Sequence, residues 1–162
     1  MEQIHTIEPV FDENSRILIL GSFPSVKSRE ARFFYGHPQN RFWKTLAAVT
    51  DSICPQTIEE KKKFLLDNRI AVWDVIKSCD IEGSADSSIK NVVPNDFTEI
   101  LNAADIRRIY ANGAASYNLY KKYCEKTTGR EIIKLPSTSP ANAQFSLERL
   151  ISEWSIIKGE LK

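Results

Sequence analysis

The sequence is poor in the residues from which metal and disulfide sites are made. It has three cysteines, Cys54, Cys79 and Cys124, and two histidines. The cysteines are odd in number, far apart and never in a Cys-x-x-Cys pair. This argues against a disulfide framework, a zinc site or an iron–sulfur cluster and leaves reduced, packed thiols. Neither a metal nor a cofactor is expected. Long apolar runs are missing too: none approaches the roughly 20 residues that span a bilayer, and the opening MEQIHTIEPVFDENSR is too acidic and polar for a signal peptide. The expected location is the cytoplasm, with no membrane partner. Net charge is only +1, so no polyanionic partner announces itself globally. Locally the balance differs. Residues 21–44 hold Lys27, Arg29, Arg32, Arg41 and Lys44 against Glu30 alone, an excess that would suit a phosphate backbone along one edge.

The 162 residues, 42% hydrophobic and 27% charged, have the size and composition of one globular domain spanning 1–162, expected to be monomeric. Four short apolar runs read as buried strands: RILILG at 16–21, IAVW at 70–73, IRRIYAN at 106–112 and EIIKL at 131–135. Helical patterns lie between them. QNRFWKTLAAV places Phe42, Leu46 and Val49 on one face, and TIEEKKKFLLDN opens with Thr57 and has Glu60 three residues later, a capping box. NDFTEILNAA, AASYNLYKKYCEK and ANAQFSLERLISEWSIIK read as further helices, and residues 77–94 as one long irregular stretch. Strands alternating with helices imply an α/β fold: three layers, α/β/α, around a mainly parallel four-stranded sheet. In such folds ligands bind beyond the carboxyl ends of the strands.

The unusual residues fall in the loops at those ends. GSFPS follows the first strand; it is neither a Gly-x-x-x-x-Gly-Lys loop nor a Gly-x-Gly-x-x-Gly turn. Gly21 allows a sharp turn and close approach of a ligand, Pro24 stiffens it, and Ser22 and Ser25 offer hydroxyls around Phe23. FFYGHPQNRFW then sets Tyr35 and His37 before a helix, with Asn40 in its first turn and Phe42 and Trp43 as anchors. The stretch describes either a helix cap among core aromatics or a ring and an amide arranged around a flat heteroaromatic. Asp74 ends the second strand and Asn112 the third, each fit to read a base or to satisfy nearby backbone. PSTSPANA supplies Ser137, Thr138 and Ser139, with Asn142 opening the last helix. Those residues suit either a cap or an anion. The loop GSADSS adds Asp86, Ser87 and Ser88.

Taken in order, LGSFPSVKSREARFFYGHPQNRFW, AVWDVI, GSADSSI and PSTSPANA closely resemble the hypoxanthine-DNA glycosylase branch of the uracil-DNA glycosylase superfamily, over roughly residues 14–158. The resemblance implies a monofunctional enzyme that hydrolyses the N-glycosidic bond of a deaminated base in DNA, hypoxanthine foremost, and leaves an abasic site. Carried over, Asn40 is the catalytic asparagine. Gly21 to Ser25 and Tyr35 would shape the base pocket, and Ser137, Thr138 and Ser139 would contact DNA; the residue-by-residue reading adds His37, Asp74 and Asn112 to the base site and Lys27, Arg41 and Asn142 to the DNA contacts. His37 is the histidine expected near the site. The water-activating aspartate of the uracil enzymes' first motif has no counterpart in GSFPS, nor has their second-motif histidine, since Leu135 precedes Pro136. The alternatives are a uracil or broad-range deaminated-base glycosylase, and a non-catalytic module binding damaged DNA or a nucleotide.

Overall fold

A computed structural model describes residues 2–161. Seven strands run in chain order: β1 (Glu2–Ile4), β2 (Ile17–Gly21), β3 (Ile70–Asp74), β4 (Ile76–Asp80), β5 (Lys90–Pro94), β6 (Arg108–Asn112) and β7 (Ile132–Leu135). The helices are α1 (Val26–Ala31), α2 (Phe42–Val49), α3 (Ile58–Asp67), α4 (Thr98–Ala103), α5 (Ala114–Tyr123), α6 (Glu125–Thr128) and α7 (Leu147–Trp154). The four strands expected from the apolar runs form one parallel sheet in the order β3-β2-β6-β7. The fold is the expected α/β/α arrangement around that sheet.

Why a continuous apolar run becomes its central strand is visible in β2. Successive side chains point to opposite faces, and both faces are covered. Ile17 and Ile19 join Ile70, Val72 and Tyr110 beneath α2, α3 and α7, where Phe42, Leu46, Leu65, Leu150 and Trp154 complete one core. Leu18 and Leu20 join Ala71, Ile109 and Ala111 on the other face, against Phe97, Ile100 and Tyr120. Each such fully buried side chain stabilises the fold by roughly 1.5–3 kcal/mol. The capping box at α3 forms as its sequence requires: Glu60 N donates to Thr57 Oγ1 at 3.0 Å and Thr57 N to Glu60 Oε1 at 3.3 Å.

Residues 77–94 are irregular only in their middle: 81–89 form a loop with a short 3₁₀ turn at Asp86–Ser88, while both flanks are strands. β4 pairs antiparallel with both β1 and β5 in a second, three-stranded sheet. IKSCD mixes polar and apolar residues and KNVVP holds only the pair Val92-Val93 before Pro94, and β1 and β5 are the edge strands of that sheet, so no long apolar run signals it. The last helix also differs from expectation. It starts at Leu147, with Ser146 Oγ accepting from Arg149 N, not at Asn142, and continues as a 3₁₀ segment over Ser155–Glu160. The reason is Arg41. Its guanidinium takes the carbonyls of Ser139 (2.9 Å), Asn142 (3.0 Å) and Phe145, oxygens that a helix would turn along its axis. Among the described residues, no helix is long and apolar enough to cross a membrane.

Candidate active site

The parallel register places Gly21 beside Asp74, Leu20 beside Ala111 and Asn112 beside Leu135, so the strands end along one edge. Above that edge lies a cavity of about 150 Å³. Ser22, Phe23, Pro24 and Ser25 line one side, Tyr35 and Asn40 another, with Asp74 and Asn112 from the strand ends and Ser137, Thr138 and Ser139 from the loop after β7. Most residues expected to bind a base therefore meet in one place, although they come from four separate loops. Phe34, Ser28, Ser84 and Asp86 share the lining.

Asn40 is held in one orientation. Its Oδ1 accepts from Phe42 N at 2.9 Å and from Thr138 Oγ1 at 2.8 Å, which occupies both lone pairs. Thr138, wholly buried, has its hydroxyl set from behind: Asn112 Nδ2 donates to Thr138 Oγ1 at 2.9 Å, and Thr138 N donates to Asn112 Oδ1 at 3.0 Å. The chain runs in one direction, from Asn112 amide to Thr138 hydroxyl to Asn40 carbonyl. Asn40 Nδ2 has no protein partner among the described residues, so the amide presents two N–H donors and no acceptor. Asn40 precedes Arg41, the residue at the N-terminal cap position of α2; it takes the first N–H of that helix and also lines the cavity, so it has a structural contact and a site position together. Phe42 and Trp43 are buried beneath it as anchors.

Tyr35 is bent into place. Its backbone takes a left-handed φ of 51°, its carbonyl accepts from Trp43 Nε1 at 3.3 Å, and its ring stacks on Phe42 at 3.8 Å. Its hydroxyl is buried and makes no hydrogen bond among the described residues. Burial pushes the phenol pKa far up and the Asp74 charge adds to this; the Asn112 amide, committed to Thr138, offsets only part. The phenol stays protonated at neutral pH. Gly21 is glycine because a Cβ there would collide with Asp74 Oδ1 and sit 3.2 Å from Tyr35 Oη. Gly113, at φ 95°, similarly leaves room for Ser137, whose Cβ lies 3.1 Å from where a Cβ would be.

Two carboxylates reach the cavity. Asp74, 3% exposed, accepts from His5 at 2.7 Å through Oδ2. Asp86 sits on an exposed turn with its carboxyl facing inward over the cavity, where it accepts from Ser22 Oγ at 2.8 Å. Loss of solvent on that side pushes its pKa up, the Ser22 bond pulls it back, and Asp74 adds a further upward push.

Not every expected residue lies here. His37 is outside the lining; its Nδ1 accepts from Gln39 N at 3.1 Å, and it stiffens the turn before α2. His5, also outside the lining, stands behind Asp74, 69 positions away in the chain, and is brought there by the pairing of β1 with β4. No spacing in the sequence could have signalled it. Arg41 is spent on the three carbonyls already named, and Asn142 Nδ2 donates to Ser137 O at 2.9 Å, so both brace the loop from inside. Ser25 caps α1. Lys27 is exposed and pairs with Glu30 at 3.6 Å. Arg29 donates to Gly83 O at 2.8 Å and lies 5.5 Å from the Phe23 ring centroid. Much of the positive excess at 21–44 is thus engaged within the protein. Among the described residues, no cluster of three or more histidine, cysteine, aspartate or glutamate side chains could hold a metal.

Comparison with known proteins identifies the family. Residues 8–157 match the model of the Uracil DNA glycosylase superfamily. A curated hypoxanthine DNA glycosylase from Methanosarcina acetivorans is 38% identical over 149 residues, covering 91% of this chain and 93% of its own. One from Methanosarcina barkeri is 34% identical over 149 residues, covering 91% and 92%. A solution NMR structure from Methanosarcina acetivorans, provisionally described as a uracil DNA glycosylase, superposes with a TM-score of 0.81 at 38% identity, covering 97% of this chain and 96% of that one. With the match running through nearly every strand and loop that builds the cavity, the protein belongs to the uracil DNA glycosylase superfamily.

Proposed function

We propose that this protein is a monofunctional DNA glycosylase that hydrolyses the bond between hypoxanthine and deoxyribose and leaves an abasic site. The naming of the two curated relatives as hypoxanthine DNA glycosylases supports the substrate. The observation that carries the mechanism is the one-way hydrogen-bond chain that fixes Asn40 as a donor at a cavity beyond the strand ends.

A base stacked in duplex DNA must be flipped out, at a cost of a few kcal/mol that is smaller for a mispaired, deaminated base. Inside the cavity, Phe23 and Tyr35 offer aromatic walls and Asn40 offers N–H groups. When the glycosidic bond breaks, its electron pair leaves with the base and C1′ gains oxocarbenium character; water then adds its hydroxyl to C1′ and its remaining proton neutralises the departed base. A preorganised donor on the departing base stabilises the negative charge that develops there, typically by several kcal/mol at a water-excluded site. Asn40 suits that role. With both lone pairs of Oδ1 occupied it cannot take a proton or a hydrogen bond from water, so it acts on the leaving group and not as a base. Ser137 and Ser139, which line the cavity, and the exposed Lys27 on α1 are the residues this reading assigns to the DNA.

The test is direct. Duplexes carrying deoxyinosine, deoxyuridine or deoxyxanthosine are incubated with the protein and treated with alkali. Strand breaks appear only after alkali and fastest from deoxyinosine; no break from any of the three overturns the proposal.

A further inference from the structure

His5 and Asp74 form a buried pair whose polarity can be read from its neighbours. The backbone N–H of His5 donates to Lys77 O at 2.7 Å, extending the β1–β4 ladder by one residue behind Asp74. Its ring, with a side chain 2% exposed, is enclosed by Phe23, Phe34 and Trp73 at centroid distances of 5.9, 6.1 and 6.2 Å. Nδ1 accepts from Ile7 N at 3.2 Å, so it carries the lone pair and the proton is on Nε2. Nε2–H donates to Asp74 Oδ2. A neutral imidazole leaves the whole negative charge on the carboxylate while occupying one oxygen. The other, Oδ1, has no donor among the described residues and lies over Gly21, where even a methyl group would collide with it. With Asp86 at the rim as well, the cavity is acidic and unsuited to a phosphate. It suits an N–H.

We infer that Asp74 Oδ1 reads the ring N–H of the flipped base, N1–H in hypoxanthine, and that His5 is the positioning residue that keeps this oxygen an acceptor. The inference rests on the glycosylase reading and adds to it the basis for rejecting adenine. Adenine presents a lone pair at N1, which would face the carboxylate's own lone pairs and leave both groups buried and unpaired. Sites built around a hydrogen bond to a substrate discriminate strongly against analogues that cannot make it, whereas sites that sense only shape do not.

Asp74→Asn reverses the contact without changing its shape. His5 Nε2–H then bonds the carboxamide oxygen, and Nδ2 replaces the acceptor with a donor. Single-turnover excision is measured on duplexes carrying deoxyinosine or 2′-deoxynebularine, a purine with a bare N1 lone pair. In Asp74→Asn the deoxyinosine rate falls about 100-fold while the nebularine rate holds or rises. Equal loss on both duplexes overturns the inference, since the carboxylate would then serve the chemistry or the fold; so does no loss on either. His5→Phe should lose deoxyinosine excision selectively, by about 10-fold, and His5→Gln, which keeps an N–H for Oδ2, should recover most of it. Equal rates for the two His5 variants overturn the positioning role. Binding of the wild-type protein and Asp74→Asn to the same duplexes, followed by fluorescence anisotropy, separates the two readings. A preference for inosine that Asp74→Asn abolishes supports the edge contact even if the wild-type protein excises nothing, a result that would overturn only the glycosylase reading.

Discussion

Replacing Thr138 with valine removes one hydroxyl from the centre of the site and little else. The side chain is wholly buried, valine has its shape, and the backbone bonds to Asn112 Oδ1 and from Arg41 N do not depend on the hydroxyl. Two hydrogen bonds disappear, at 2.9 Å from Asn112 and at 2.8 Å to Asn40. The Asn112 amide is left without its acceptor, a cost of about 1–3 kcal/mol for a buried donor. In a chain of 162 residues that corresponds to a Tm lower by about 2–12 °C. Asn40 keeps only the Phe42 N–H to hold its carbonyl, so the amide samples other orientations. Excision from a deoxyinosine duplex should slow about 10-fold or more, as expected when a positioning contact is lost. Thr138→Ser, which keeps the hydroxyl and loses a methyl group, should retain most of the rate with a comparable loss of stability. Thermal denaturation and single-turnover excision are measured on all three proteins. A valine variant that is less stable but excises at the wild-type rate, or a serine variant as slow as valine, refutes the idea that the hydroxyl sets the polarity of Asn40.

Two further outcomes follow from the same geometry. Arg41→Lys should loosen residues 139–145 and slow excision several-fold without changing the salt dependence of DNA binding, because one ammonium cannot serve three carbonyls in the plane of a guanidinium; a reduced salt slope would show instead that Arg41 contacts phosphate. Stability should fall with rising pH above about 9: burial holds the Cys124 thiol up at about 11, so above pH 9 the unfolded chain loses this proton while the native one keeps it. Melting between pH 8 and 11 checks this, and Cys124→Ala should flatten the slope below pH 10.

The parallel sheet was legible because strands buried on both faces must be continuously apolar, as in ILILG and IAVW. The cavity was legible for a related reason: loops beyond the strand ends carry the glycine, proline, hydroxyl and amide residues that scaffold does not need. What stayed hidden depends on partners distant in sequence. The antiparallel sheet is built from EQI, IKSCD and KNVVP, where apolar residues are too few and interrupted to give a run to read, and its β1–β4 pairing brings His5 to Asp74. Arg41 shows how a charge read from the sequence can have internal partners. Charge suggested a phosphate contact, but three carbonyls about 100 residues away claim the guanidinium and delay the last helix to Leu147.

The central claim is that a donor amide at Asn40 drives base excision. It is tested most directly by Asn40→Ala on a deoxyinosine duplex under single-turnover conditions, with folding checked by circular dichroism. The account predicts a folded variant whose excision falls at least about 100-fold, the scale seen when one preorganised donor is removed. A folded Asn40→Ala protein that releases hypoxanthine at the wild-type rate would contradict it.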